Sequence, residues 1–301
     1  MHTEVPDHSR MPVLVAVDGS RNCLATVDLG VAEAARRRAG LRILHVWPGR
    51  YTGPVRSGSP IPALADGRRL LDLAARRAGH LDGTVRIEVD LAEGSASNTI
   101  VQRSAEAQLL VIGHRDEVLT RPSWGSTAAY LAHHSACPLL VRRGVASERG
   151  PVVVAVSTRR PAGATVACAF KEAEIRGVPL VAVNVWSPPD GAISRLYSAD
   201  RRAAEARLAA TLTDVRSAYP AVPVEELVVY DLDIPYTLER AAHRGQLLVA
   251  GVGRSGRLAE LLYGSLSRSL TRQTPCPVLL VPAAWRPEGT GTSMASSADH
   301  P

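Results

Sequence analysis

The chain repeats itself at a fixed interval, and that interval constrains its fold more than any single motif. Val15-Ala16-Val17-Asp18 returns as Val154-Ala155-Val156-Ser157, and His45-Val46-Trp47 returns as Asn184-Val185-Trp186. Gly125-Ser126 returns as Gly264-Ser265, and Cys137-Pro138-Leu139-Leu140-Val141 as Cys276-Pro277-Val278-Leu279-Leu280. Each pair lies 139 residues apart. A repeat of that length is a whole domain, since domains commonly run to roughly 100–200 residues. Each half is long enough to bury about two-thirds of its unfolded surface in a core of its own. Two like domains are therefore expected, at residues 11–142 and 151–282, joined by the short polar segment Arg143–Gly150. Residues 1–10 and 286–301 are expected to be disordered, the latter being rich in Gly, Ser and Ala.

One region breaks the register. Val111-Ile112-Gly113 matches Val249-Ala250-Gly251 at an interval of 138. The loop from Gly113 to Gly125 is thus one residue shorter than the loop from Gly251 to Gly264.

Within each half, short apolar runs alternate with amphipathic stretches. Pro12–Val17, Leu41–Trp47, Thr84–Leu91, Leu109–Gly113 and Pro138–Arg142 read as strands. Leu24–Ala39 reads as a helix with an apolar stripe and an arginine-rich outer face, stopped by Gly40. Ala63–Ala78, Ala96–Ala105 and a stretch from about Gly125 to His134 read as further helices. The second half repeats the order, with strands near Val152–Val156, Leu180–Trp186, Val224–Tyr230, Leu247–Gly251 and Val278–Val281. Strands that alternate with helices imply βαβ units and parallel sheets with right-handed crossovers.

Composition narrows the class. The chain is 46% hydrophobic and 21% charged, ordinary for a soluble globular protein. Its net charge is +6 and its pI about 9.5. A basic pI alone permits nucleic-acid binding. Here Lys171 is the only lysine, and acidic residues sit among the arginines, so a mixed solvated surface is expected and no nucleic-acid partner. There is no signal-peptide layout at the start and no apolar run long enough for a membrane span, so a cytoplasmic location is expected. Cys23, Cys137, Cys168 and Cys276 form no CxxC pair and have apolar neighbours, which points to buried thiols and no metal site.

Ligands of open parallel sheets bind outside the carboxyl ends of the strands, where the strand order reverses. Two glycine-bearing loops leave the first half at such an edge: Asp18-Gly19-Ser20, and Gly113–Gly125, which runs into Gly125-Ser126-Thr127 at a helix start. Free N–H groups and the helix dipole make that start suited to phosphate. The plainer readings are helix caps for Asp18 and Gly125-Ser126, and packing for Trp47 and Trp186.

These residues resemble the universal stress protein family, once in each half. The resemblance covers about residues 11–142 and 151–282. It implies a five-stranded parallel sheet in order 3-2-1-4-5, flanked by helices, twice in tandem (the adenine nucleotide alpha hydrolase-like fold). Nucleotide-binding members carry Gly-x2-Gly-x9-Gly-[Ser/Thr] after the fourth strand, an Asp after the first and a valine near the end of the second. Carried over, the first half keeps Asp18, Val46, Gly113, Gly125 and Ser126. Its second motif glycine is replaced by Asp116, and Glu117 follows. At about 4 Å and an effective dielectric of about 20, one such carboxylate repels a phosphate by on the order of 4 kcal/mol before screening. The second half keeps Val185, Gly251, Gly264 and Ser265, with Ser267 beyond them. Arg254 stands where the second glycine belongs, between Gly253 and Gly256, and an arginine can pair with phosphate. Its acid, however, has become Ser157.

The resemblance thus implies a non-catalytic regulatory module that binds an adenine nucleotide, ATP with accompanying magnesium, better in the second half than in the first. It also implies a homodimer or an internal pseudo-dimer with the strands near Pro138 and Pro277 at the interface. The alternatives are a protein-interaction module with degenerate loops, and weak ATP hydrolysis. The last lacks a P-loop lysine, and His133 and His134 read as C-terminal helix residues rather than bases.

Overall fold

The computed structural model describes residues 11–49, 64–113, 126–144, 149–158, 162–186, 197–230, 234–252 and 276–286. The first repeat contains β1 (Val13–Ala16), α1 (Cys23–Arg37), β2 (Leu41–Trp47), α2 (Leu64–Leu81), β3 (Ile87–Glu93), α3 (Ala96–Ser104), β4 (Leu109–Ile112), α4 (Ser126–His134) and β5 (Leu139–Val141). The second contains β6 (Val152–Ala155), α5 (Gly163–Arg176), β7 (Leu180–Trp186), α6 (Tyr197–Ala218), β8 (Val224–Tyr230), α7 (Ile234–Ala242), β9 (Leu247–Val252) and β10 (Val278–Pro282).

The sheet order is β3-β2-β1-β4-β5-β10-β9-β6-β7-β8. Each half therefore has the expected order 3-2-1-4-5, with every pairing inside a half parallel. The two five-stranded sheets are continuous rather than separate. β5 and β10 pair antiparallel, with Val278 opposite Val141, Leu279 opposite Leu140 and Leu280 opposite Leu139. Leu140 and Leu279 are themselves equivalent residues, so a pseudo-two-fold axis passes through this pair, normal to the sheet. The last strands meet where the pseudo-dimer reading puts them.

The central strands β1, β4, β6 and β9 are buried on both faces, which is why they read as unbroken apolar runs. One face is covered by α1, α2, α5 and α6, and the other by α3, α4 and α7. In α1, Val27, Val31 and Ala34 recur at helical spacing and lie fully or almost fully buried against β1 and β4. All four cysteines are free and buried, as their apolar neighbours suggest.

Three local expectations need correction. Gly40 does not stop α1. The chain turns two residues earlier, where Arg38 takes a left-handed φ of 52° and its N–H reaches the carbonyls of Ala34 and Ala35. The equivalent residue in the second repeat is Gly177, with φ of 63°. Second, Asp18 does not cap a helix. Its Oδ1 accepts from the Ser20 N–H at 3.0 Å, closing a turn, and the residue before α1 is Asn22.

Third, the arginine-rich side of α1 is not all an outer face. Glu33 and Arg37 meet their equivalents Glu172 and Arg176 on α5, and the four form a closed ring. Arg37 Nη2 donates to Glu172 Oε1 at 2.5 Å, and Arg176 Nη2 to Glu33 Oε1 at 2.7 Å. Within each helix, Arg37 pairs with Glu33 and Arg176 with Glu172. Arg36 adds a bond to Glu33 at 2.9 Å from a more exposed position. The four ring side chains are only 2–6% exposed. Burial alone would raise the Glu33 carboxyl. Arg37, Arg176 and Arg36 outweigh it and hold the group down to about 2.

Candidate functional site

In the first repeat the chain passes from β1 to β2 on one side and later crosses to β4 on the other. The carboxyl ends of β1 and β4 are thus neighbours at a topological switch point. Ala16 lies opposite both Leu44 and Ile112, so Asp18, Val46 and Gly113 emerge at one sheet edge. The second repeat does the same with β6, β7 and β9. Ala155 lies opposite Val183 and Ala250, which brings Ser157, Val185 and Gly251 to the corresponding edge.

Of the expected residues, Asp18, Val46 and Gly113 share one edge, and Val185 and Gly251 share the corresponding edge of the second repeat. Asp18 and Gly113 are exposed at the edge, and Val46 and Val185 are half-buried. Ser126 begins α4, and the Thr127 hydroxyl after it lies 3.4 Å from the hydroxyl of Ser97 on α3. Gly125, Gly253, Arg254, Gly264, Ser265 and Ser267 lie outside the described residues, as do Asp116 and Glu117. His133 and His134 close α4, with His134 Nδ1 donating to the Tyr130 carbonyl at 2.8 Å.

Two pairs of residues at this edge were not singled out by the sequence reading. The first pair explains the glycines. A Cβ on Gly113 would sit 2.6 Å from Oγ1 of the fully buried Thr26, and a Cβ on Gly251 would sit closer still to Oγ1 of Thr165. Thr26 and Thr165 hold equivalent places on α1 and α5. Each glycine is thus required by helix–strand packing before any ligand is considered. Thr26 is oriented by donating to the Asn22 carbonyl at 3.1 Å.

The second pair is His45 and Asn184, each just before the rim valine. His45 Nδ1 lies 2.9 Å from the Val17 carbonyl, and Asn184 Nδ2 donates to the Val156 carbonyl at 2.8 Å. A carbonyl can only accept, so His45 carries its proton on Nδ1. Both side chains tie the second strand of the repeat to the residue preceding Asp18 or Ser157. The signal for each pair was in the sequence: a polar residue recurring at the repeat interval inside an otherwise apolar segment.

Among the described residues, no group of three or more His, Cys, Asp or Glu side chains is placed to hold a metal ion. None of the described helices is long and apolar enough to cross a membrane.

An α/β unit with this strand order, doubled in one chain and with a glycine at the carboxyl end of its fourth strand in each repeat, is the architecture of a tandem universal stress protein. The model of the universal stress protein family matches the chain twice, over residues 10–143 and 148–282, and the chain belongs to that family. It is similar to the universal stress protein Rv2005c of Mycobacterium tuberculosis, at 29% identity over 289 residues, covering 89% of this chain and 96% of the relative. A universal stress protein of Mycolicibacterium smegmatis is 28% identical over 287 residues, covering 89% and 96%. In fold, the chain resembles the crystal structure of a universal stress protein from Archaeoglobus fulgidus, with a TM-score of 0.65 at 16% identity, covering 91% and 97%.

Proposed function

We propose that this chain is a regulatory module whose second repeat binds an adenine nucleotide, ATP with its magnesium, and that the bound state acts in a stress response. The supporting observation is the convergence of Ser157, Val185 and Gly251 at the switch point beside β6. Asn184 holds that rim in place. In sequence, the segment from Gly251 to Gly264-Ser265 has the full family length and carries Arg254, a residue type that pairs with phosphate.

The described donors suit a base and a ribose: main-chain groups of Val185 and Gly251 and the Ser157 hydroxyl. Ser157 stands where the first repeat has Asp18, so no carboxylate at this position would hold the magnesium. The first repeat offers Asp18, but its loop carries Asp116 and Glu117 and is one residue short. It is the weaker candidate.

A specific observation favours a second reading, a protein-interaction module that needs no nucleotide. Gly113 and Gly251 are accounted for by Thr26 and Thr165, so their presence does not require a ligand.

The experiment is direct. Protein purified without added nucleotide is denatured, and the released small molecules are analysed by mass spectrometry. ATP or AMP in stoichiometric amount supports the proposal. Nothing released, together with no heat on titration with ATP and magnesium, overturns it in favour of the interaction module. Arg254→Ala and Gly264→Asp should each abolish binding if the second repeat is the site. Sustained ATP turnover would point instead to an enzyme.

A further inference from the structure

We propose that the ring of Glu33, Arg37, Glu172 and Arg176 selects which repeats pair, and that it accepts a repeat of a second copy of this chain on the same terms as the repeat beside it. The strand contact cannot make that selection. Leu139-Leu140-Val141 against Val278-Leu279-Leu280 is three apolar residues against three, all buried. Apolar burial is non-directional, and a slipped or exchanged strand would place another apolar side chain at the same spot. The ring is directional. Its cross-repeat bonds at 2.5 and 2.7 Å need a Glu and an Arg on each helix, four residues apart in that order. With all four side chains almost fully buried, a mismatched charge has no route to water.

The ring is also isologous: each helix presents the same residue types at the same spacing. The first repeat of another copy therefore offers α1 the same partner that α5 does. The short join between β5 and β6 favours pairing within the chain, by raising the effective concentration of one repeat around the other.

Charge reversal tests this in the full chain. Glu33→Arg with Arg37→Glu keeps the pair within α1 but sets Glu against Glu172 and Arg against Arg176. Like halves of two such chains, by contrast, match. The half-reversed chain should melt lower by on the order of 10 °C. Its mass by light scattering should rise above that of the parent chain at equal concentration. Adding Glu172→Arg and Arg176→Glu restores complementarity within the chain, and should return the mass to the parent value and the melting temperature to near it, short only of the lost Arg36–Glu33 bond. Helix-dipole and crowding penalties of reversal are larger in the fully reversed chain, so its recovery cannot come from them. A half-reversed chain with the parent's melting temperature or the parent's mass overturns the proposal, as does a fully reversed chain no better than the half-reversed one. Should the half-reversed chain be insoluble, a soluble fully reversed chain with near-parental melting supports the proposal and an insoluble one overturns it.

Discussion

Leu140 of β5 lies directly opposite Leu279 of β10, and the two occupy the same place in their repeats. Each is 1% exposed. A change at this pair therefore acts where both halves share one sheet. Leu140→Ala removes buried methyls from the junction and should destabilise the chain by about 2–5 kcal/mol. Urea unfolding of parent and variant measures this. A loss below about 0.5 kcal/mol would mean that the junction is not packed as described.

The buried ring makes stability fall in acid. Arg37, Arg176 and Arg36 hold the Glu33 carboxyl at about 2, below its ordinary 4.5. The unfolded chain therefore takes up the proton first as pH drops. The contribution is fully present above about 4.5 and is lost as pH falls toward about 2. Urea midpoints measured from pH 6 to pH 2 should fall more steeply for the parent than for Glu33→Gln. Parallel curves would exclude Glu33 from the acid response.

Arg38 occupies a left-handed position that the second repeat gives to Gly177. Left-handed backbone costs a non-glycine residue about 1–2 kcal/mol, partly offset by the greater freedom glycine loses on folding. Arg38→Gly should raise stability by roughly 0.5–1 kcal/mol, and Gly177→Ala should lower it by a similar amount. Opposite signs in thermal unfolding check the assignment.

Gly113 and Thr26 provide a packing test with its own rescue. Gly113→Ala forces a methyl against Thr26 Oγ1 and should cost about 1–3 kcal/mol. Thr26→Ala clears that space, so the double variant should be more stable than the sum of the single changes predicts. Strict additivity would show that the contact does not constrain residue 113. Gly251 and Thr165 should behave in the same way.

The native thiols give a last check. Burial pushes Cys137 and Cys276 up to about 12. At neutral pH both stay protonated and inaccessible, and should react with a thiol reagent only on unfolding. Rapid labelling of either in the native protein would contradict its burial.

The fold was legible because the central strands are apolar on both faces and the repeat interval aligned them. Val13–Ala16 and Val152–Ala155 could hardly be anything but buried parallel strands. The rim was partly legible. Asp18 and Gly113 could be brought to one edge as loops leaving neighbouring strands, and Val46 through the family resemblance, whereas the packing demand of Thr26 on Gly113 is a contact between distant residues. The ring was hidden for a different reason. A Glu and an Arg four residues apart on a helix look the same whether they face water or another domain. Only their recurrence as Glu172 and Arg176 carried the information, and periodicity within one helix could not reveal it.

The axis through Leu140 and Leu279 has a consequence for how the two halves can diverge. In an assembly of two identical chains, every substitution is imposed on both sides at once, so a site cannot be altered without altering its twin. Here the twins are encoded separately. Asp18 corresponds to Ser157, His45 to Asn184, and Arg38 to Gly177. Each is a difference between the two sides, while Glu33 and Arg37 are matched by Glu172 and Arg176. Fusion lets either side change without its twin, while the shared seam keeps the two halves joined.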